Sequence, residues 1–359
     1  MATHFYPLKI ESVKQETPEC VSISFEIPDA MKENFRYNAG QHLTIRTNLN
    51  GNEIRRNYSL CSSPLSNEWR IAIKQMEGGL FSTFANGNLK AGDILDVMPP
   101  MGKFFTALNS IHKKNYVAVA AGSGITPILS IITTTLQTEP ASSFTLLYSN
   151  KTRGDIIFKD ALEALKNKYM NRFSVHHIFS REKTDAAINE GRIDEAKAAL
   201  IFSRFIEIKS MDECFICGPA AMIETVRNYL EQSGFDKKKI HYELFAAATQ
   251  NKIATSRPTI DKTDAPTSNI TIKLDGRALS FKLPYDGFSI LDAALQQGAD
   301  LPYACKGGVC CTCKAKLLEG EVKMDLNYGL EQDEVAAGYI LTCQSHPLTE
   351  QVMVDFDNR

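Results

Sequence analysis

The chain has 359 residues, 40 Lys and Arg against 42 Asp and Glu, a formal net charge of −2, and is 43% hydrophobic. That length exceeds one typical core and calls for two or three domains, while the near-neutral balance offers no basic field for nucleic acid or an anionic membrane. The nine cysteines are clustered, and Met1–Ile10 shows no basic segment leading into an apolar one, so a secreted disulfide framework is not expected and the reducing cytosol is.

The first hundred residues read as strands. Val21–Ile27, His42–Arg46 and Trp69–Lys74 alternate or run apolar with β-branched content, separated by Pro, Asn and Gly turns. A small β-barrel is expected over 1–108. Within it stand Arg56-Asn-Tyr58-Ser59, Gly78-Gly79-Leu-Phe-Ser82 and Pro100-Met-Gly102-Lys-Phe104. Taken alone, the first of these means no more than a strand end with a surface arginine.

Tyr116–Ala121 then predicts a buried strand, followed by Gly122-Ser-Gly124-Ile-Thr126-Pro127 and an apolar helix. Such a turn lets the backbone approach a pyrophosphate, which the amides at a helix start can hold. The third glycine of the dinucleotide fingerprint is absent, and Pro127 stands there, suited to a first helical turn. The segment is too short and too interrupted to span a membrane. Strands at Phe144–Tyr148, Phe173–Phe179 and Cys214–Cys217 alternate with helices near 158–168 and 194–202, which predicts a doubly wound parallel sheet over 109–246. Cys214-Phe-Ile-Cys217 lies on a strand, where positions three apart face opposite ways, so it is not read as a redox pair. The seven histidines show no ligand spacing.

Residues 247–268 are rich in Thr, Ser, Pro and charge and read as a linker. Beyond it, over 269–359, Asp275-Gly276 between Ile270–Leu274 and Arg277–Leu283 predicts a hairpin with a type I′ turn. Ser289 with Asp292 caps a helix closed by Gly298. Next comes Cys305-Lys-Gly-Gly-Val-Cys310-Cys-Thr-Cys313, with Cys343 thirty positions on. C-x4-C-x2-C with a distant fourth cysteine is the ligand spacing of a plant-type 2Fe-2S cluster. A structural zinc site remains the alternative, although it usually offers a second C-x2-C knuckle. Gly307 and Gly308 are expected to take φ > 0 and turn amides toward the sulfurs, and Cys311 is read as a small buried neighbour.

Ala39-Gly40-Gln41, Arg56-x-Tyr58-Ser59, Gly78-Gly79-x-x-Ser82, Pro100-x-Gly102-x-Phe104, Gly122-x-Gly124-x-x-Pro127, Cys217-Gly218-Pro219 and Glu243-x-Phe245, in this order, resemble the ferredoxin-NADP reductase family, here fused to a C-terminal plant-type ferredoxin. The resemblance implies an FAD-binding β-barrel, a doubly wound nucleotide domain and a β-grasp ferredoxin. It implies that Arg56 holds the flavin pyrophosphate, Tyr58 lies on the isoalloxazine face and Ser59 bonds near N5, with Gly79 and Ser82 completing the phosphate site. Gly122, Gly124, Thr126, Cys217 and Gly218 would place the nicotinamide nucleotide, with Glu243 and Phe245 beside the flavin; Ser59, Cys217 and Glu243 are the residues expected nearest the chemistry. FAD rather than FMN rests on the resemblance alone. Ser180-Arg181 after the strand Phe173–Phe179 matches the pair that holds a 2′-phosphate in NADPH-using relatives, with Lys151 or Arg153 adding charge; this favours NADPH and leaves NADH open.

The expected route is hydride from NADPH to FAD, single electrons to the cluster at Cys305, Cys310, Cys313 and Cys343, and delivery to an oxygenase. The partner expected is a multi-subunit di-iron epoxidase, with a Rieske-type hydroxylase fed from NADH as the alternative.

Overall fold

The computed structural model describes residues 4–245 and 266–358. Most of the expected linker, through residue 265, lies outside the described residues. These residues group into two compact units, one of 7–52 with 58–245 and one of 266–358 with the short pieces 4–6 and 53–57.

The chain opens with β1 (Tyr6–Thr17), β2 (Cys20–Glu26), β3 (His42–Leu49), β4 (Asn52–Ser59), β5 (Trp69–Lys74), α1 (Leu80–Asn88) and β6 (Ile94–Met101). The six strands form an antiparallel sheet in the order β4-β3-β6-β1-β2-β5. Leu60, just past β4, bridges Ile71 on β5, which brings the two edges together as a barrel requires. Along β2, Val21, Ile23 and Phe25 alternate with Ser22 and Ser24, whose hydroxyls bond Glu16 and Ser12. Both faces of the strand are thereby buried at no cost in orphaned polar groups.

Next come β7 (Asn115–Ala121), α2 (Ile125–Thr138), β8 (Ser143–Asn150), α3 (Lys159–Lys168), β9 (Phe173–Phe179), α4 (Glu195–Phe205), β10 (Glu213–Gly218), α5 (Ala220–Gln232) and β11 (Ile240–Leu244). The sheet order is β11-β10-β7-β8-β9, and neighbouring strands run parallel throughout. The chain reverses its direction of travel between β7 and β10, so the switch point of this doubly wound sheet lies there. Cys214 packs on one side of the sheet and Cys217 on the other, as a strand spacing of three demands.

The barrel and the parallel sheet do not separate into two units. The reason is a shared core: Cys20, Ala39, Cys61, Ala72 and Phe104 from the barrel join Tyr116, Ile128, Ile131 and Phe215 in one buried cluster, where Phe104 meets Phe215 edge-on at 5.7 Å.

The second unit contains β12 (Thr267–Leu274), β13 (Arg277–Pro284), α6 (Ile290–Gln296), β14 (Lys314–Glu319), β15 (Val322–Met324), α7 (Gln332–Ala336), β16 (Tyr339–Leu341), β17 (Ser345–Pro347) and β18 (Gln351–Asp355). β12 begins two residues inside the expected linker, because Ser268 is already buried and paired with Leu283. The hairpin forms as predicted: Asp275 and Gly276 take φ of +51° and +71°, and Leu274 pairs with Arg277. A mixed sheet, β13-β12-β18-β14-β16, buries Ile290, Leu291 and Ala294 of α6 against Ile270, Ile272 and Val354. One helix grasped by a curved mixed sheet is the expected β-grasp arrangement.

Candidate functional site

Three motifs interlock at the barrel rim. Gly40 sits at φ +102°, and a Cβ there would lie 1.9 Å from the carbonyl oxygen of Phe104. Gln41 donates through Nε2 to the Gly102 carbonyl at 3.1 Å and accepts at its own carbonyl from the Leu60 amide at 2.9 Å. The strand that carries Arg56, Tyr58 and Ser59 is thus pinned to the other two signatures. Arg56 is half-buried, with Nη1 bonded to the Arg55 carbonyl at 2.8 Å. Tyr58 lies 5.6 Å from the ring of Phe81 on α1.

Gly79 caps the start of α1, a helix that no strong periodicity in the sequence announces. Ser82 Oγ accepts from the Met76 amide at 3.1 Å and donates to the Gly79 carbonyl at 3.2 Å, so its hydroxyl holds the glycine turn together. Beside this helix start is a cavity of about 360 Å³ lined by Leu49, Asn50, Gly79, Leu80, Thr83 and Phe84. Leu80 is 55% exposed there. A helix start next to an open apolar cleft suits a pyrophosphate with an attached adenosine.

At the switch point of the parallel sheet, Gly122 takes φ +53° and Gly124 packs so tightly that a Cβ would lie 2.2 Å from the Cys217 carbonyl oxygen. The Gly122–Gly124 turn and the Cys217–Gly218 strand end therefore lie side by side, where this fold receives nucleotides. Thr126 is buried and donates to the Ser123 carbonyl at 3.0 Å, which braces the turn. Cys217 is fully buried, and burial, with the charge of Glu243 adding, pushes its thiol well above the ordinary range.

Glu243 is where the two halves of this unit meet chemically. It pairs in register with Cys217, accepts from Ser59 Oγ at 3.2 Å, and its second oxygen lies 3.8 Å from His42 Nδ1. Phe245 follows, its amide 3.5 Å from the Gly218 carbonyl. The structure therefore brings Ser59, Cys217, Gly218, Glu243 and Phe245 to one place. His42 joins them without any warning in the sequence. Its partner is 201 positions away, and no spacing could signal it.

Ser180 and Arg181 follow β9 as expected, their amides bonded to the carbonyls of Asn150 and Lys151 at 2.9 Å each. Arg181 and Lys151 are exposed. Arg153 differs from expectation: Glu182 takes both its guanidinium, at 3.3 Å, and its amide, at 2.7 Å. Its charge is already matched.

In the C-terminal unit the four cysteines form two pairs. Cys310 hydrogen-bonds Cys305, and with the amides of Gly307, Val309 and Cys310 this outweighs burial and lowers Cys305 to about 5, while Cys310 is raised. Cys313 likewise bonds Cys343 and lowers it. The Gly307 and Cys310 amides lie 3.3 and 3.4 Å from Cys305 Sγ, the arrangement of donors that stabilises a thiolate. Two thiolates for each of two irons is what a 2Fe-2S cluster takes. Two details depart from expectation. Gly307 does not take positive φ; Lys306 (+51°), Gly308 (+73°) and Cys311 (+52°) do, with Gly308 forced by a Cβ that would lie 2.7 Å from the Leu326 carbonyl oxygen. Cys311 is half-buried rather than fully buried, and it packs against the core of this unit.

Comparison with known families gives three matches: an oxidoreductase FAD-binding domain over residues 7–106, an oxidoreductase NAD-binding domain over 118–228 and a 2Fe-2S iron-sulfur cluster binding domain over 272–348. A subunit of 1,2-phenylacetyl-CoA epoxidase from Escherichia coli K12 is 46% identical over 355 residues, covering 99% of this chain and 98% of that protein. The chain belongs to that family of ferredoxin-NADP reductases fused to a 2Fe-2S ferredoxin. Within the wider group, the ferredoxin reductase component of 3-ketosteroid-9-alpha-monooxygenase from Rhodococcus rhodochrous is 31% identical, covering 97% of this chain and 96% of that one. Among solved structures, phthalate dioxygenase reductase has the same architecture, with a TM-score of 0.60 at 24% identity and 98% of both chains covered. An intact self-sufficient cytochrome P450 monooxygenase matches 98% of this chain with 41% of its own, at a TM-score of 0.68 and 19% identity. As a member of this family the chain is an oxidoreductase with FAD, nicotinamide nucleotide and 2Fe-2S sites, and among the described residues no helix is long and apolar enough to cross a membrane.

Proposed function

We propose that this protein is the reductase component of a multi-subunit di-iron phenylacetyl-CoA epoxidase, working in the cytoplasm and drawing electrons from NADPH. The observation that carries this is 46% identity to the epoxidase protein of Escherichia coli along both chains, from the barrel to the cysteine loop. The domain division we propose is a barrel over 1–108, a nucleotide domain over 109–246, a linker from 247 that ends where β12 begins at Thr267, and a ferredoxin from there to 359.

FAD, when bound, takes two electrons together from a reduced nicotinamide and gives them up singly to an iron-sulfur cluster. The chain's own residues supply position. Arg56 would hold the flavin pyrophosphate, assisted by the start of α1 after the Gly79 turn that Ser82 braces. Tyr58 would cover one flavin face, and Ser59, aimed by Glu243, would bond its polar edge. Gly122, Gly124 and Gly218 leave the switch point free of side chains, and Cys217 and Phe245 would wall the nicotinamide end against water. Ser180 and Arg181 would take the 2′-phosphate. Cys305, Cys310, Cys313 and Cys343 would hold the cluster.

The test is reconstitution. Purified epoxidase components, phenylacetyl-CoA and this protein should turn over with NADPH and stop when it is omitted. A steroid or aromatic-ring Rieske hydroxylase that turns over with NADH, with the epoxidase inert, would establish the alternative, which the 31% identity to the ketosteroid monooxygenase reductase supports.

A further inference from the structure

The loop from Cys305 to Cys313 contains one charged side chain, Lys306, and it directly follows a cysteine ligand. Its Nζ lies 2.6 Å from Asp292 Oδ1 on α6 and 4.7 Å from the centre of the Tyr303 ring. Asp292 is itself fixed: its amide donates to Ser289 Oγ at 3.2 Å, and its other oxygen accepts from that hydroxyl at 3.1 Å. The Lys306 carbonyl accepts from Gln344 Nε2 at 2.9 Å, and the same amide group reaches the Cys343 carbonyl at 3.1 Å. Lys306 is therefore gripped by its side chain from the helix and by its backbone from the residue after the fourth ligand. It holds φ +51°, a conformation that favours glycine, with two glycines immediately following it. The position carries a side chain where the backbone conformation would favour none.

We propose that Lys306 and Asp292 are positioning residues for the 2Fe-2S cluster: Lys306, the residue that follows the Cys305 ligand, sets a positive charge on the cluster loop, and Asp292 aims and offsets it, so that the pair tunes the cluster's reduction potential. The proposal rests on reading the four cysteines as cluster ligands. An added electron makes the cluster more negative, so a neighbouring cation favours the reduced form and a neighbouring anion disfavours it. The two side chains are 41% and 37% exposed, so salt screens the effect.

The experiment is a redox titration of the full-length holoprotein at low ionic strength, followed by the paramagnetic signal of the reduced cluster. K306Q should lower the potential and D292N should raise it, each by about threefold in the one-electron equilibrium, or roughly 30 mV at 59 mV per tenfold. K306R should match the parent, and added salt should shrink both shifts. Unchanged potentials in both K306Q and D292N, or shifts of the same sign, would overturn the proposal. If K306Q loses iron, D292N decides, because it keeps the cation: a raised potential there supports the proposal and an unchanged or lowered one overturns it. Absence of any cluster signal in the parent protein would defeat the underlying ligand reading instead, which separates the two failures.

Discussion

Ser59 on β4 donates to Glu243 on β11 at 3.2 Å, across 184 positions of sequence. One residue ends β4 of the barrel and the other lies near the end of β11, so this bond ties the barrel to the parallel sheet beside the proposed flavin and nucleotide sites. Replacing Ser59 by Ala removes one oriented donor. NADPH-driven flavin reduction in stopped flow should slow about tenfold, the worth of one hydrogen bond near 1.4 kcal/mol, with FAD still bound.

Gly124 has no room for a side chain, since a Cβ would meet the Cys217 carbonyl oxygen at 2.2 Å. Gly124→Ala must push the turn away from β10. A stability loss of about 1–3 kcal/mol is expected, together with a raised KM for NADPH and unchanged cluster content. The check is a thermal melt alongside steady-state ferricyanide reduction.

Arg181 is exposed after β9, whereas Arg153 is held by Glu182. Arg181→Ala should raise KM for NADPH about tenfold and leave NADH unchanged, the loss of one charge-assisted contact. Glu182→Gln frees Arg153 and should improve NADPH relative to NADH. Equal effects on both nucleotides would refute the 2′-phosphate assignment.

The general layout is legible in the sequence because its signals are local. Asp275-Gly276 dictates a type I′ turn, Ser289 caps α6 through the Asp292 amide, and Cys305-x4-Cys310-x2-Cys313 fixes a ligand loop, each within a few residues. Barrel and nucleotide sheet share a core that no local pattern announces, because Phe104 and Phe215 are brought together only by the fold. His42 beside Glu243 and Glu182 on Arg153 are missed for the same reason. The glycine count in the cluster loop misleads in the other direction, since Lys306 and Cys311 take left-handed conformations and Gly307 does not.

Glu213 provides a pH test. Burial raises its pKa, but hydrogen bonds from His241 at 2.6 Å and Lys114 at 2.9 Å, with their charges, reverse this and hold it at about 2, below the ordinary 4.5. A depressed folded pKa contributes stability above the unfolded value, and that contribution is lost as pH falls toward the folded one. The melting temperature of Glu213→Gln should thus lie below the parent's at pH 7, and the gap should close between about pH 4.5 and pH 2. A gap that widens in acid would contradict the assignment.

The proposed electron path runs from nicotinamide through flavin to a two-iron cluster on Cys305, Cys310, Cys313 and Cys343. Anaerobic addition of NADPH to the purified holoprotein should bleach the flavin absorbance and raise the one-electron signal of a reduced 2Fe-2S cluster. In Cys343→Ser only the flavin should bleach. A parent protein that contains zinc in place of iron, or that gives no paramagnetic cluster signal once its flavin is reduced, would contradict the account.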